Sequence, residues 1–329
     1  MTEAEPREEN TPTSTYQLTS LRRAIGRRFS LPALIAVLIW GVNVSTMKMT
    51  VAEIDPYLVG ILRMGVAGLI LLAVVWRVEG GMGIESHHWP RLLFVSCVGT
   101  GLSSTLWAVG LSLGTATNAA LISNISPVFA LIMAVALGQE KLLKERVIGS
   151  AVALAGVALV VQTDGLELRG SALLGDVFLL GNAVAWASYN VFGVALLKRY
   201  SPMRVTAWAM TLGAIALALA SPLLVRNWDL SQVSYVGWGG LFYAVVFASM
   251  IAQTLWSRAM HALGASGVMV YNYLNPVLGV GFASLLLGER FTLMQAVGAV
   301  FVLGGVTVST QAGPKRARPR LREREASEA

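Results

Sequence analysis

Apolar residues in this chain come in long blocks separated by short charged or polar turns. Runs long enough to cross ~30 Å of hydrocarbon as helix fall at approximately Leu31–Val51, Pro56–Val75, Leu92–Leu113, Ala119–Leu137, Val147–Gln162, Gly175–Leu197, Val205–Val225, Val236–Trp256, Ser266–Leu287 and Thr292–Thr310. The fifth and tenth are short by themselves and count because each follows a strong neighbour after a charged turn. The pattern predicts an all-α integral membrane protein with ten transmembrane helices.

Composition points the same way. Of 329 residues, 55% are hydrophobic and 13% charged, against about 25% charged in an ordinary soluble protein. So few charges cannot cover a soluble surface of this size. Residues 1–30 mix Glu and Arg without the apolar core of a signal peptide and read as a disordered cytosolic tail; 311–329 read as a basic cytosolic tail. Cys97 is the single cysteine, which excludes an intrachain disulfide and a thiolate metal cluster, and is expected to be a packed core residue. The net charge is +7, and its placement argues against nucleic acid. With the N-terminus inside, of 25 Lys and Arg only Arg169, Arg226 and Arg290 face outward, while Lys48 and Arg63 fall within predicted helices. That bias is the positive-inside pattern, and it puts both termini on the cytosolic side of the cytoplasmic membrane.

The chain also repeats itself. A shift of 149 residues brings "SPVFALIMAVALGQE" onto "NPVLGVGFASLLLGE", so that Pro127 meets Pro276 and Glu140 meets Glu289. The same shift brings the "TLW" ending at Trp107 onto the one ending at Trp256, Gly149 onto Gly298, and Gly156 onto Gly305. Upstream the shift is 146, pairing Trp40 with Trp186 and Pro56 with Pro202. Two homologous halves follow, 31–162 and 175–310, joined by an extracytoplasmic linker over 163–174. Each half has five spans, an odd number, so the second copy is upside down. A 5+5 inverted repeat builds two half-bundles around a central cavity that can open to either side. Pro127 and Pro276 are expected to break helices where freed carbonyls line that cavity. Glu140 and Glu289 are expected to end the wall helices at the inner and outer surfaces.

The stretches "GTATNAALISNISPVFALIMAVALGQEKLLKERVIGSAVALAGVALV" and "GASGVMVYNYLNPVLGVGFASLLLGERFTLMQAVGAVFVLGGVTV", with "WGVNVSTMK" and "LLGNAVAWASYNV", resemble the EamA domain of the drug/metabolite transporter superfamily. The resemblance covers both halves. It implies a ten-helix carrier of the kind that mostly exports small metabolites. One departure is that Arg63 has Ala209 at the repeat-equivalent position, so the halves differ in charge.

Candidate site residues follow from cost and position. A cation at mid-bilayer costs about 2.5–3.5 kcal/mol or more. Lys48 therefore either snorkels to the outer edge or faces the cavity, and Arg63 either holds backbone carbonyls or meets substrate. Trp89 and Trp228 read as interfacial anchors, whereas the repeat-paired Trp40, Trp186, Trp107 and Trp256 lie within spans. Trp186, Tyr189 and Asn190 share one helix face, as do Tyr271 and Asn275; Asn43 and Asn124 add amides. Such a polar stripe is interhelical glue or pore wall, and pore wall is the expectation. His87 and His88 read as solvated loop residues, and Arg258 and His261 as solvated at the end of the eighth helix. The glycines at small-xxx-small spacing read as packing positions.

No "GxxxxGK[ST]" is present, so the chain has no P-loop for ATP; an ion gradient, the substrate's own gradient or a separate subunit must drive it. Neither is there an HExxH pair, the nearest thing to a mid-span aspartate is Asp176 at a helix start, and the histidines lie near helix ends. The expectation is a secondary transporter working by alternating access, with a channel or scaffold without alternating access as the alternative and an intramembrane enzyme as a distant third. Aromatic, amide and cationic groups without a mid-span carboxylate suit a small amphiphile bearing a carboxylate, such as an amino acid, moved outward. No cofactor or metal ligand is expected. The partners are that substrate and the lipid bilayer, with the oligomeric state open.

Overall fold

The computed structural model describes residues 30–113, 122–161, 171–225, 227–287 and 292–311, and every regular element among them is helical. In chain order these are α1 (Leu31–Glu53), α2 (Pro56–Glu79), α3 (Trp89–Phe94, Val95–Leu102 and Ser103–Leu113), α4 (Ser126–Ala136) and α5 (Lys144–Val161). Then come α6 (Ser171–Leu197), α7 (Pro202–Leu224), α8 (Tyr235–Tyr243, Ala244–Ala252 and Gln253–Leu263), α9 (Ala265–Met269, Val270–Tyr273 and Leu274–Leu287) and α10 (Leu293–Gln311). Among the described residues, six helices are long and apolar enough to cross a membrane: Pro56–Glu79, Ser86–Gly110, Leu173–Leu197, Pro202–Leu224, Tyr235–Leu263 and Leu293–Thr310. Leu31–Asn43 and Ser126–Ala136 are shorter apolar helices.

Proline and a capping side chain start several of these helices. Asp55 caps α2, its Oδ1 accepting from the N–H groups of Tyr57 (3.0 Å) and Leu58 (3.4 Å), and Pro56 follows. Ser201 caps α7 through Arg204 N–H (3.1 Å), and Pro202 follows. Proline costs nothing there because its missing N–H would have no helical partner anyway. Two expected boundaries shift most. α8 runs on to Leu263 rather than stopping at Trp256, because its amphipathic last turns stay packed on neighbouring helices. α4 begins at Ser126, after a turn at Asn124–Ile125 that interrupts the helical Ile122–Ser123, so that Pro127 lies in its first turn, and Pro276 follows a 3₁₀ turn at Val270–Tyr273.

α3 and α8 each contain a π-helical stretch, Val95–Leu102 and Ala244–Ala252. These sit at matching places in the two sequence halves. Cys97 lies in the first of them and is half-buried. A π turn bonds five residues back and widens the helix, and it is found mostly at functional places. Thr100 fits that geometry, its hydroxyl donating to the Val95 carbonyl (3.4 Å).

Residues Leu31–Ala312 form one unit, to which all these helices belong. α1 packs on α8 and α9, α6 on α3 and α4, α2 on α7, and α5 on α10. The last two contacts are backbone-close. A Cβ on Gly149 would sit 2.6 Å from the Gly305 oxygen, and one on Gly156 would sit 2.7 Å from the Gly298 oxygen. Across α2 and α7, a Cβ on Gly68 would sit 2.7 Å from the Thr211 nitrogen, and one on Gly65 3.6 Å from Ala214 Cβ. Small residues permit this approach where dispersion, not water, drives association. Helix ends are tied by polar groups. Glu53 accepts from Ser234 N–H (2.7 Å) and Ser234 Oγ (2.8 Å), while Glu79 pairs with Arg204 (2.8 Å) and accepts from Ser201 Oγ. In the α7–α8 connection, Asp229 accepts from Ser231 N–H (2.8 Å), and the Ser231 hydroxyl and N–H hold its carboxyl below the ordinary range.

Candidate functional site

Three tryptophans from three helices meet in the interior. Trp40 of α1 has its ring 5.1 Å from Trp256 of α8 and 6.1 Å from Trp186 of α6, and Trp186 stands 6.3 Å from Trp256. Tyr189, one turn beyond Trp186, stacks on it at 5.1 Å with the planes 1° apart.

Buried indole N–H groups need acceptors, and the helices supply them. Trp40 Nε1 donates to the carbonyl of Ala248 (3.1 Å), inside the π stretch of α8. Trp256 Nε1 donates to Asn190 Oδ1 (2.8 Å), and Asn190 Nδ2 donates to the Trp186 carbonyl (2.8 Å). Asn190 thus holds α8 to α6 while staying fully buried. A hydroxyl chain continues the network: Tyr189 OH is 3.3 Å from Ser257 Oγ, which is 2.9 Å from Thr206 Oγ1 of α7.

Five expected site residues therefore come together: Trp40, Trp186, Tyr189, Asn190 and Trp256. They are packed against one another, with Trp256 and Asn190 at 0% exposure and Trp40 and Trp186 half-buried. Trp107 stands apart from this cluster, 38% exposed while its repeat mate Trp256 is enclosed. The physical reason is neighbours. The last segment of α8 is enclosed by α1, α6 and α7, whereas among the described residues that of α3 packs on α6 and α2.

The remaining candidates are placed individually. Tyr271 and Asn124 are buried. Asn43 lies one turn beyond Trp40 on α1, and its Oδ1 is buried without a hydrogen-bond partner. Asn275 Oδ1 and Ser126 Oγ, which immediately precede the repeat-paired Pro276 and Pro127, are in the same state. Arg63 is half-buried on α2, and its buried Nε likewise finds no partner. A buried polar atom without a protein partner is uncommon in native proteins and needs a specific reason, water or ligand among them. Lys48 belongs to α1 but its side chain lies outside the described residues, as does Glu289 altogether.

Glu140 does more than mark a surface. It lies beyond the left-handed Gly138 (φ 64°) that closes α4, accepts from Arg146 and from Ser266 Oγ, and Arg146 also donates to Ser266. Ser266 N–H donates to Glu140 Oε1 (3.3 Å). Arg146 and Ser266 are both buried, so this cluster is a latch between the first half and the start of α9. Sequence reading missed both partners, Arg146 entering it only among the charges expected on the cytosolic side. Its repeat-equivalent, Gln295, instead caps its own helix: Gln295 Oε1 accepts from Thr292 N–H (2.9 Å) and Gln295 N–H donates to Thr292 Oγ1 (3.2 Å), a capping box. His88, expected to be solvated, is instead half-buried with Nδ1 2.8 Å from the Tyr200 hydroxyl, because that hydroxyl anchors the turn. Trp89 is also half-buried, edge-on to Trp208 at 5.3 Å, while Trp228, Arg258 and His261 are exposed.

Comparison with known proteins adds an independent line. The EamA-like transporter family matches this chain over residues 29–162 and again over 173–311. A protein of Archaeoglobus fulgidus named an uncharacterized transporter is 28% identical over 279 residues, 84% of this chain and 95% of its own length. A protein of Escherichia coli K12 named a probable amino-acid metabolite efflux pump is 24% identical over 298 residues, 87% of this chain and 95% of its own. A solved crystal structure superposes with a TM-score of 0.76 at 19% identity, covering 88% of this chain and 98% of the other, which is a likeness of fold.

Proposed function

The chain belongs to the EamA-like transporter family, and on that premise we propose that it is a secondary carrier exporting a small carboxylate-bearing amphiphile, such as an amino acid, across the cytoplasmic membrane. Relatives named as transporters and amino-acid metabolite efflux pumps support transport over catalysis. The architecture proposed is ten transmembrane helices in a 5+5 inverted repeat, with both termini cytosolic, working by alternating access. Its support lies in how the halves meet. Gly149 and Gly156 lie against Gly305 and Gly298, each the repeat mate of the other's partner, and Gly68 and Gly65 meet Thr211 and Ala214 in the same exchange. Swapping the halves maps each contact pair onto the other, as a two-fold axis in the membrane plane requires.

The single observation that carries the site is the buried indole–amide network of Trp40, Trp186, Asn190 and Trp256. It joins one helix of the first half to two of the second, so movement of one half against the other must remake it. Substrate would enter by exchanging hydrogen bonds with these groups and with the unpartnered Asn43 and Asn275, its apolar part against the rings. Arg63 is proposed as the carboxylate's counter-charge, with Lys48 as a second cation at the outer edge.

Counterflow in proteoliposomes, with a panel of labelled amino acids, amines and nucleosides, tests the reading. Trans-stimulated uptake of an amino acid is expected. Uptake that ignores substrate on the far side marks a channel. Arg63→Met should weaken transport of a carboxylate substrate about fivefold, on the order of 1 kcal/mol for a partly hydrated pair, and spare a neutral one. Equal kinetics on the carboxylate substrate would leave Arg63 a structural residue.

A further inference from the structure

The connection between α2 and α3 brings together ligating atoms that the proposed transport path does not use. Glu85, His87 and His88 each offer one, and the three lie within 4.8 Å of one another. Glu85 Oε2 is 3.6 Å from His87 Nδ1, and the two imidazole centroids are 3.9 Å apart.

The segment is held from the other half of the molecule. Tyr200, buried in the turn after α6, accepts at its hydroxyl from Glu85 N–H (3.0 Å) and lies 2.8 Å from His88 Nδ1, its ring edge-on to the imidazole at 5.4 Å. A histidine that donates Nδ1–H to such a neighbour presents the lone pair of Nε2 to a metal, the outer-shell arrangement usual around metal-bound imidazole. Glu85 and His87 are exposed, which leaves room for water to complete the coordination.

We propose that Glu85, His87 and His88 bind one divalent transition-metal ion of the zinc, cobalt or nickel type, with Tyr200 as the positioning residue. Two imidazoles and one carboxylate suit these ions, whereas magnesium and calcium favour sets made of oxygen alone. Because Tyr200 belongs to the second half, the ion braces the α2–α3 connection against α6. The site stands independently of what the protein transports.

The test uses full-length protein in detergent, purified without a polyhistidine tag and titrated with Co(II) by visible absorption and with Zn(II) by competition. Wild type should take up one equivalent. His88→Ala should lose saturable binding. His87→Ala, at an exposed position where folding is not at stake, should weaken it, and Tyr200→Phe should weaken it about tenfold or more. Zn(II) should raise the thermal midpoint of wild type and leave that of His88→Ala unchanged, as binding to the folded form alone requires. Identical titrations of wild type, His87→Ala and His88→Ala would overturn the site. Unaltered affinity in Tyr200→Phe would reduce it to an adventitious pair of surface histidines.

Discussion

Asn190 shows how one amide can organise an apolar interior. Its oxygen takes the Trp256 indole and its nitrogen feeds the Trp186 carbonyl, so both ends of its dipole are used. Asn190→Leu keeps the volume and strands the indole N–H. We expect a loss of about 1 kcal/mol in stability, the scale of a hydrogen bond between membrane helices, read as a lower thermal midpoint in detergent, together with slower counterflow. An unchanged midpoint would mean the indole finds another acceptor. This group was legible in the sequence because repeat pairing singles out its tryptophans and one-face spacing adds Tyr189 and Asn190. Ser257 and Thr206 were not, since hydroxyls on membrane helices commonly bond back along their own helix, as Thr50 and Thr211 do here. The bond from Arg146 to Ser266 escaped for a different reason: the two are distant in sequence, and nothing local announces their pairing.

At the scale of elements, the start of α2 at Pro56 was readable, the start of α7 was placed at Val205 although Ser201 and Pro202 begin it three residues earlier, and the π stretches were not readable at all. In a run that is apolar all round, one inserted residue leaves no trace in hydrophobic periodicity. Its structural effect is large nonetheless. Deleting Val246 would convert the wide turn of α8 to ordinary helix and rotate all that follows by about 100°. Trp256 would turn away from Asn190, and Trp40 would lose the Ala248 carbonyl. The expected outcome is protein that inserts in the membrane but fails in counterflow; full transport by the deletion variant would show that the π turn only accommodates packing. Glycine spacing gave a firmer guide. The approach of Gly156 to Gly298 leaves no room for a side chain, and Gly156→Leu should cost about 1–3 kcal/mol through overpacking, visible as a lower thermal midpoint. An unaffected midpoint would show that α5 and α10 can part without cost.

For the whole molecule, the charge bias and the odd number of spans per half predict opposite sides for the interhalf linker and the tail. Reporters fused after Gln162 and after Thr310 should give an external and an internal signal respectively; two signals from one side would remove the inverted repeat. The Glu140–Arg146–Ser266 latch ties the α4–α5 connection to the start of α9, and the repeat-equivalent of Arg146 is Gln295, turned to its own helix. Glu140→Gln with Arg146→Gln neutralises both partners at once and avoids leaving a lone buried charge, which by itself costs about 3–5 kcal/mol. Opening there should become easier. With Cys97 replaced by serine and a cysteine placed at Ala265, labelling by an impermeant thiol reagent in inside-out vesicles should rise several-fold. Equal labelling would make the latch a fold clamp with no part in gating.

The cluster of Trp40, Trp186 and Trp256 also has an optical consequence. Rings 5.1–6.3 Å apart are close enough for their excited states to mix and for absorbed energy to hop between them. The near-ultraviolet circular dichroism of the protein should carry the signature of that coupling, and its emission should be dominated by whichever indole is the lowest trap. Anything that parts the rings or slips between them changes both signals. The chromophores are part of the chain itself, so occupancy of the interior can be followed without attaching a label.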